Sequence, residues 1–508
     1  DEDVELKVSR ETLRFERLIA TQEEQVSVEG EATLPGSMRD AVTVLSVQAQ
    51  THMESVQAGE DNAILRGRVC FQALYTQGDL TRIRTMETTC DFEHVVSVRG
   101  LEPDMRIDAD AAVQETEGSA ANGRMTLRAL LGIRMNAFEN MEKELVTGAE
   151  VIDSPTEGDI GELRVKKQNV AFCRHRALGE DKTLVREEFD LPAKLGVGDV
   201  LSASGEAAVT ELTGGTGHVG ICGRIEVRVL HRPEEAGNPL VTTAHEIPFE
   251  ITLNADVPDG MQPIAAAEVI DVMADSVADD KRRTLRVEAE VRVRLFLCEQ
   301  EEKEILADLY SLSGDALEPV REALDIHSFE ESEDTRESVR LQITMPKDAP
   351  PVDTVLGAFA QPTITGISPS GRRLDAEGVM AVTLIYLPVD SDIPYSVRMR
   401  EPFTMTFPVE AGEGASAQAR IIETTPGVAT SDRVEVRCVV GLRVTKHGAR
   451  HIDGVTDIQR SPAPGAERGF VLIWPAKGES RWQTARRLRV AEESLRPAGK
   501  EALLAFRR

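Results

Sequence analysis

The stretch TLRVEAEVRVRLFL, residues 284–297, alternates apolar and charged side chains with a period of two. The apolar positions are Leu285, Val287, Ala289, Val291, Val293 and Leu295, and the charged ones are Arg286, Glu288, Glu290, Arg292 and Arg294. This period is typical of a strand with one buried face, because a helix would scatter the same residues around its axis. Opposite charges on the wet face can pair across neighbouring strands. The stretch therefore predicts a half-buried antiparallel strand.

Similar strands recur at residues 124–135 and 433–444, together with landmarks that return at nearly constant spacing. The landmarks are Pro35, Pro192 and Pro346; Gly67, Gly223 and Gly378; and Phe92, Phe249 and Phe403. Successive members of each group lie 154–157 residues apart, which predicts a threefold internal repeat. We expect an all-β protein with three tandem antiparallel β-sandwich or barrel repeats of about 155 residues, at 1–157, 158–311 and 312–466. Short segments with an acidic start, at 40–45, 199–201 and 353–356, are predicted to add one or two helical turns to each repeat.

Composition narrows the class of protein. The 508 residues suggest three or four domains, and 41% apolar with 29% charged residues is typical of a globular chain rather than a disordered one. A net charge of −29 disfavours binding to nucleic acid or to anionic lipid. No apolar run reaches the length of a membrane span, and the first residues lack the apolar core of a secretion signal, so neither is expected unless a signal was removed beforehand. The six cysteines are too sparse for a disulfide scaffold, which favours free, buried thiols in a reducing cytoplasm.

The composition changes near residue 467. Residues 461–469 are typical of a linker, and the segment 470–508 has nine Lys and Arg against four Glu, a charge of +5, whereas the rest of the chain carries −34. Its pattern predicts a strand, a tight loop, a helix, a second helical piece and a closing strand. Ser480 followed by Gln483 is a capping box, which fixes the start of the first helix. Residues 467–508 are thus predicted to form a small βααβ module.

This module resembles a LysM module. The matching positions are Lys477, Gly478, Glu479, Ser480, Trp482, Ala485, Val490 and Leu495. Arg481 and Thr484 depart from the family pattern, which usually has apolar residues there, and Pro497 stands where an asparagine is usual near a sugar-contacting loop. These departures favour docking to an acidic protein surface over glycan binding. An alternative is that the basic module folds back onto the acidic repeats of its own chain.

Three β repeats followed by a LysM-like module resemble the SPOCS-domain proteins of spore-forming Firmicutes, of the SipL-like spore coat morphogenesis family. The resemblance implies a non-enzymatic assembly protein at the forespore surface, in the mother-cell cytoplasm, which docks to a protein partner, a coat-basement ATPase. A basic surface with an aromatic anchor is the usual makeup of an interface hot spot. The residues expected to dock the partner are Lys477, Gly478, Glu479, Ser480, Arg481, Trp482, Arg486, Arg487 and Arg489.

Candidate chemical sites are few. Gly215–Gly220 spells GxGxxG, but a strand follows it where a dinucleotide fingerprint needs a helix, so it predicts a hairpin loop. His447 and His451 have a spacing that suits a metal only on a helix, and they follow a strand. The acidic run 330–334 is predicted to be a solvated linker or loop rather than a cation site. We therefore expect no catalytic residue, cofactor or metal.

Two further hypotheses stay open. The first is a cell-envelope protein that binds peptidoglycan or chitin-type glycans through the LysM-like module. The second is a hydrolase, which would need a deep polar pocket in one repeat that the other two lack.

Overall fold

The structure is a computed structural model that describes residues 6–36, 42–78, 81–152, 160–259, 261–279, 282–412, 414–463, 469–499 and 502–507. The described chain is almost entirely β-strand, with the one described α-helix near the C-terminus. This confirms the predicted all-β, antiparallel class. No helix in these ranges is long and apolar enough to cross a membrane.

The strands up to residue 461 form three successive sets of six. The first set is β1 (Leu6–Thr33), β2 (Val42–Ala58), β3 (Asn62–Gln77), β4 (Arg84–Ser97), β5 (Arg106–Ala121) and β6 (Arg124–Val151). The second is β7 (Leu163–Leu191), β8 (Val197–Gly215), β9 (His218–Pro233), β10 (Val241–Asn254), β11 (Pro263–Asp279) and β12 (Arg282–Ser311), with a 3₁₀ turn at Ala193–Leu195. The third is β13 (Ala316–Thr344), β14 (Val352–Ser370), β15 (Arg373–Pro388), β16 (Tyr395–Phe407), β17 (Ser416–Ala429) and β18 (Arg433–Ser461).

Each set forms two three-stranded antiparallel sheets. In the first set the orders are β1–β6–β5 and β2–β3–β4, and the same orders occur at the corresponding strands of the second and third sets. The two sheets of a set enclose one apolar core; in the first set it includes Val28, Leu65 and Leu127. Each set is therefore a β-sandwich in which the alternating strands turn one face inward. The boundaries drawn between the repeats stay predictions.

The alternating stretch 284–297 lies in the central strand of its sheet. Within β12, the six apolar positions from Leu285 to Leu295 are buried, and the strand pairs with β7 on one side and β11 on the other. A central strand with one face in the core gains its stability from these apolar side chains, at roughly 1.5–3 kcal/mol for each large one.

The recurring glycines and phenylalanines are cross-strand partners. Gly67 lies directly opposite Phe92, and the pairs Gly223–Phe249 and Gly378–Phe403 repeat this arrangement. A Cβ atom on Gly67 would lie 2.7 Å from the Phe92 ring, so the ring occupies the space that a side chain would need. The two landmarks return together because each glycine makes room for one aromatic ring.

The prediction of short helical turns is wrong. Residues 42–45, 199–201 and 353–356 are strand, in β2, β8 and β14, where they pair with β3, β9 and β15; residues 40 and 41 lie outside the described residues. The acidic run 330–334 is neither linker nor loop but part of β13, opposite β18. The predicted hairpin at residues 215–220 is confirmed, since Gly215 pairs with His218 across a turn whose Gly217 has a φ of 76°. His447 and His451 both lie in β18.

All six cysteines are free thiols. Cys173 and Cys438 are buried as predicted, whereas the other four are only partly buried. Cys70 and Cys222 alternate with buried residues of β3 and β9, so they lie on the strand face turned away from the core.

The first and last strands of each set pair beyond their sandwich as a long two-stranded ribbon. The three ribbons, from β1–β6, β7–β12 and β13–β18, pack together around a shared apolar cluster, here called the central bundle. Its buried residues are Leu13, Phe15, Leu145, Val170, Phe172, Ile305, Leu324, Ile326 and Ile452. A β-bulge interrupts each long ladder near the junction, between Leu18 and Ala20 in β1, opposite Leu295 and Phe296 in the second ribbon, and between His327 and Phe329 in β13. Bulges bend strands, which lets each ribbon leave its sandwich.

Candidate functional site

The C-terminal module consists of β19 (Gly469–Ile473), α1 (Arg481–Leu488), a 3₁₀ turn at Glu492–Ser494, β20 (Arg496–Pro497) and β21 (Leu503–Arg507). Its sheet has the order β19–β21–β20. The predicted second helix is only this 3₁₀ turn. The difference arises because Arg489 ends α1 in the left-handed region, with φ 54°, and the extended Ala491 leaves too few residues before Pro497 for a further helix.

Helix α1 begins as predicted. The backbone N–H of Gln483 donates to Ser480 Oγ at 3.2 Å, and the N–H of Ser480 donates to Gln483 Oε1 at 2.7 Å, which completes the capping box. The buried face of the helix consists of Thr484, Ala485 and Leu488. Arg481 lies outside that face.

Some of the predicted docking residues are at the outer surface of the module. Gly478 has a φ of 84° and forms the turn before α1. Glu479 accepts a hydrogen bond from Arg487 Nε at 3.0 Å, and this partner lowers the pKa of the Glu479 carboxyl. Arg481 donates to the carbonyl oxygens of Glu492 and Leu495. Lys477 has no polar partner within the part of the chain that the structure describes.

Other predicted docking residues contact the chain's own β12 and the turn that follows it. Trp482 Nε1 donates to Asp308 Oδ2 at 2.7 Å, and its ring meets the Tyr310 ring edge-on at 5.0 Å between centroids. Arg486 pairs with the same Asp308 at 3.3 Å and with Glu318. These contacts use the cationic and aromatic groups of α1 within the molecule.

Arg489 extends this contact to the turn between β12 and β13. Its guanidinium donates to the carbonyl of Ser311 at 3.0 Å, to Ser311 Oγ at 2.8 Å and to the carbonyl of Gly314 at 2.7 Å. The hydroxyl of Tyr310 donates to the carbonyl of Val490 at 2.8 Å, and Tyr310 belongs to the module's apolar core. The module is thus folded against the junction of the second and third sandwiches.

The sheet of the module presents an apolar outer face. Phe470 is 75% exposed, Leu472 50%, Trp474 64% and Phe506 46%. Phe470 and Phe506 are directly opposite each other in the ladder, with ring centroids 5.0 Å apart. We call these four residues the apolar sheet face. Contiguous exposed apolar side chains of this size, framed by charged residues, are typical of interaction sites.

The apolar sheet face was not predicted from the sequence, although the strand pattern contained a signal for it. Phe470, Leu472 and Trp474 follow the strand period of two, so they lie on one side of β19, while Val471 and Ile473 pack into the core of the module. Because both alternating sets are apolar, the strand pattern alone does not tell which side is buried.

Comparison with known families adds one finding. Residues 40–120 match the family model described as SipL, SPOCS domain. This part of the chain is similar to a SPOCS domain. The matched residues run from just before β2 into β5 of the first sandwich. SPOCS domains are a non-catalytic family associated with sporulation, so the likeness suggests a sporulation-related protein.

The match covers only part of the first sandwich, and it does not reach the C-terminal module. No curated protein and no solved structure matches this chain.

Proposed function

We propose that this SPOCS-domain protein is a non-enzymatic assembly protein of spore coat morphogenesis, which docks to a coat-basement ATPase through its C-terminal module. The observation that supports the proposal is the apolar sheet face. It faces solvent on a module whose opposite side is anchored to the chain's own sandwiches.

The anchoring gives the module a fixed orientation. Trp482 and Arg489 contact β12 and the turn after it, while Phe470 and Trp474 point away from the body. A docking surface that is already oriented loses less conformational entropy on binding than a tethered, mobile one. In this proposal the predicted docking residues have two roles: Trp482, Arg486 and Arg489 hold the module, and Lys477 and Arg487 lie where a partner can reach them.

Charge supports a protein partner with an acidic, partly apolar surface. The module carries +5 while the remainder of the chain carries −34, so an acidic partner is attracted to the module and repelled by the sandwiches. Such complementarity raises the association rate and selects the orientation of docking. The aromatic side chains supply the desolvated contact that holds the complex.

The test is affinity capture from extracts of sporulating cells with the full chain and two double variants. Phe470→Ser with Trp474→Ala removes the two most exposed side chains of the apolar sheet face, whereas Met273→Ser with Val428→Ser removes two exposed apolar side chains on the sandwiches. We expect the wild type and the sandwich variant to retain a coat ATPase, and the face variant to lose it. Equal retention of the ATPase by all three would contradict docking through this face.

A parallel arm addresses glycan binding, because exposed aromatic rings can also stack on sugars. The same proteins are incubated with insoluble peptidoglycan and with chitin, and the bound fraction is measured. The proposal expects little retention on either polymer. Retention that Phe470→Ser with Trp474→Ala abolishes would instead support a cell-envelope glycan-binding protein.

A further inference from the structure

Polar side chains are buried where the three two-stranded ribbons leave their sandwiches. Glu16, Cys173 and His327 are all buried there, one from each ribbon. Each lies 19 residues before a repeat landmark, Pro35, Pro192 or Pro346, so they are equivalent positions that carry three different side chains. They lie next to the apolar central bundle.

Three ligand atoms converge at this junction without hydrogen-bond partners. His327 Nε2 and His447 Nδ1 each lie 3.6 Å from Glu330 Oε2. All three atoms are inaccessible to solvent, and none of them makes a hydrogen bond to the described residues. His327 and Glu330 come from β13, and His447 lies directly opposite Glu330 in β18.

These distances do not suit hydrogen bonds, but they suit ligands of one ion. A separation of 3.6 Å exceeds the usual 2.7–3.2 Å of an N–H···O bond. Imidazole nitrogens and carboxylate oxygens bind tetrahedral zinc at about 2.0–2.2 Å, which places neighbouring ligand atoms about 3.4 Å apart. Three buried polar atoms without partners would otherwise destabilise the fold, because each has lost its hydrogen bonds to water.

One cation serves two carboxylates beside these atoms. Arg106 Nη2 lies 2.9 Å from Glu16 Oε2 and 3.7 Å from Glu330 Oε2, so this one guanidinium is shared by two carboxylates.

We propose that His327, Glu330 and His447 bind one divalent transition-metal ion of the zinc type, with a fourth position left for water. Two imidazoles and one carboxylate form a ligand set that zinc accepts. The ion would lie within the third ribbon, between β13 and β18, next to Glu16 and His175 from the other two ribbons. It would therefore stabilise the junction of the three sandwiches.

Asn136 lies beside the ring nitrogen of His447 that does not face Glu330. Its Nε2 lies 3.5 Å from the side-chain nitrogen of Asn136, whose Oδ1 accepts a hydrogen bond from Thr21 at 2.9 Å. With the metal on Nδ1, Nε2 carries a proton, and the amide of Asn136 would turn so that its oxygen accepts that proton. Asn136 would then orient the ligand ring.

The neighbouring set Cys173, His175 and Cys298 is less suited to a metal ion. The two sulfur atoms are 3.1 Å apart, closer than the roughly 3.7 Å expected for two thiolates on one zinc ion. His175 already contacts Glu16, through its backbone N–H at 3.0 Å and its Nδ1 at 3.4 Å. This set has partners without a metal.

The experiment uses the full chain, stripped with a chelator and titrated with Zn²⁺ by calorimetry, with bound metal counted by mass spectrometry. We expect one Zn²⁺ per chain in the wild type, and affinity reduced about tenfold or more in His327→Gln, His447→Gln and Glu330→Gln. His451→Gln is the matched control, because His451 lies on the same strand but is exposed and pairs with Asp325. It is expected to bind as the wild type does.

The proposal would be overturned if the wild type bound no Zn²⁺, or if the affinity were unchanged in His447→Gln and Glu330→Gln. Circular dichroism of the stripped variants shows whether they are folded, and His447 and Glu330 remain informative if the more buried His327 variant is not. Co²⁺ substitution separates the two ligand sets. A thiolate charge-transfer band that disappears in Cys298→Ser would move the site to the cysteines and contradict ours.

Discussion

Gly67, Gly223 and Gly378 are positions where one added methyl group does not fit. A Cβ atom on Gly223 would lie 2.5 Å from the carbonyl oxygen of Ala208 on one side and closer still to the Phe249 ring on the other. The strand cannot move away from both, because β9 is the central strand of its sheet, between β8 and β10. The glycine therefore contributes space rather than conformational freedom.

Gly223→Ala is predicted to lower the free energy of unfolding by about 1–3 kcal/mol, the usual cost of overpacking a core. Urea unfolding followed by circular dichroism measures it. Gly214→Ala is the control in the neighbouring strand, because no atom lies within 4 Å of the Cβ position there. A Gly223→Ala variant as stable as Gly214→Ala would show that the Phe249 ring yields without cost.

Which of these residues can be found from the sequence depends on whether the three repeats share them. The glycine and phenylalanine landmarks were found because the packing needs identical side chains in all three copies. Glu16, Cys173 and His327 keep the same spacing from the prolines, but they were missed because comparing the chain with itself detects likeness, and these side chains differ. A function located where three repeats meet can therefore depend on positions at which the repeats differ.

Helix α1 is joined to the sandwiches by the residue that ends it. Arg489, at its C-terminal end, has a left-handed backbone that a non-glycine residue adopts at a cost, and its guanidinium bonds to the turn between β12 and β13. The favourable contacts to Ser311 and Gly314 offset that strain. They join the module to the sandwiches.

Arg489→Ala is predicted to loosen the module, because it removes charged hydrogen bonds worth about 1.5–3 kcal/mol while the backbone strain remains. In a Trp474→Phe background, Trp482 is the remaining tryptophan, and its emission reports whether it still packs on Tyr310. We expect a red shift and a lower melting temperature. Arg487→Ala, which removes only the exposed pair with Glu479, is expected to leave the emission unchanged. Equal spectra for the two variants would mean that Arg489 does not hold the module.

Element predictions succeeded where local chemistry decides the structure and failed where pairing decides it. Ser480 and Gln483 start α1 through their own hydrogen bonds, so the sequence predicts that helix start. The acidic run 330–334 has little local preference for a strand, yet it is strand because β18 pairs with it along its whole length. Tertiary pairing overrides such weak preferences.

At the scale of the whole molecule, the sandwiches are joined by polar contacts as well as by the central bundle. His52 of β2 and Glu268 of β11 form an ion pair between the first and second sandwiches, with Nδ1 and Oε1 3.0 Å apart. Arg292 of β12 donates to the other oxygen of Glu268 at 2.6 Å and to the carbonyl of Met53 at 2.7 Å. The alternation placed Arg292 on a wet face, whereas it is buried here, because one chain alone does not reveal what covers the outer face of a strand.

The pair makes stability depend on pH. Burial would lower the pKa of His52, but hydrogen bonding to Cys70 and Glu268 raises it from 6.5 to about 9. Burial would likewise raise the pKa of Glu268, but His52 and Arg292 lower it from 4.5 to about 2. The raised histidine stabilises the fold fully below pH 6.5 and loses its contribution as pH rises towards 9. The lowered glutamate contributes above pH 4.5 and loses its contribution as pH falls towards 2.

His52→Gln is therefore predicted to lower the melting temperature most near pH 5.5, where both partners are charged in either state, and to matter progressively less up to pH 9. The difference between wild type and variant at each pH measures the contribution of the His52 side chain. His218→Gln serves as control, because His218 bonds to the turn of its own hairpin, at the carbonyl of Thr216, and lies away from the junction. It shows what the loss of an imidazole outside the junction costs at each pH. If the His52→Gln difference stayed constant between pH 5.5 and 9, the charge on His52 would not link the two sandwiches, and their junction would depend on apolar contacts and Arg292 alone.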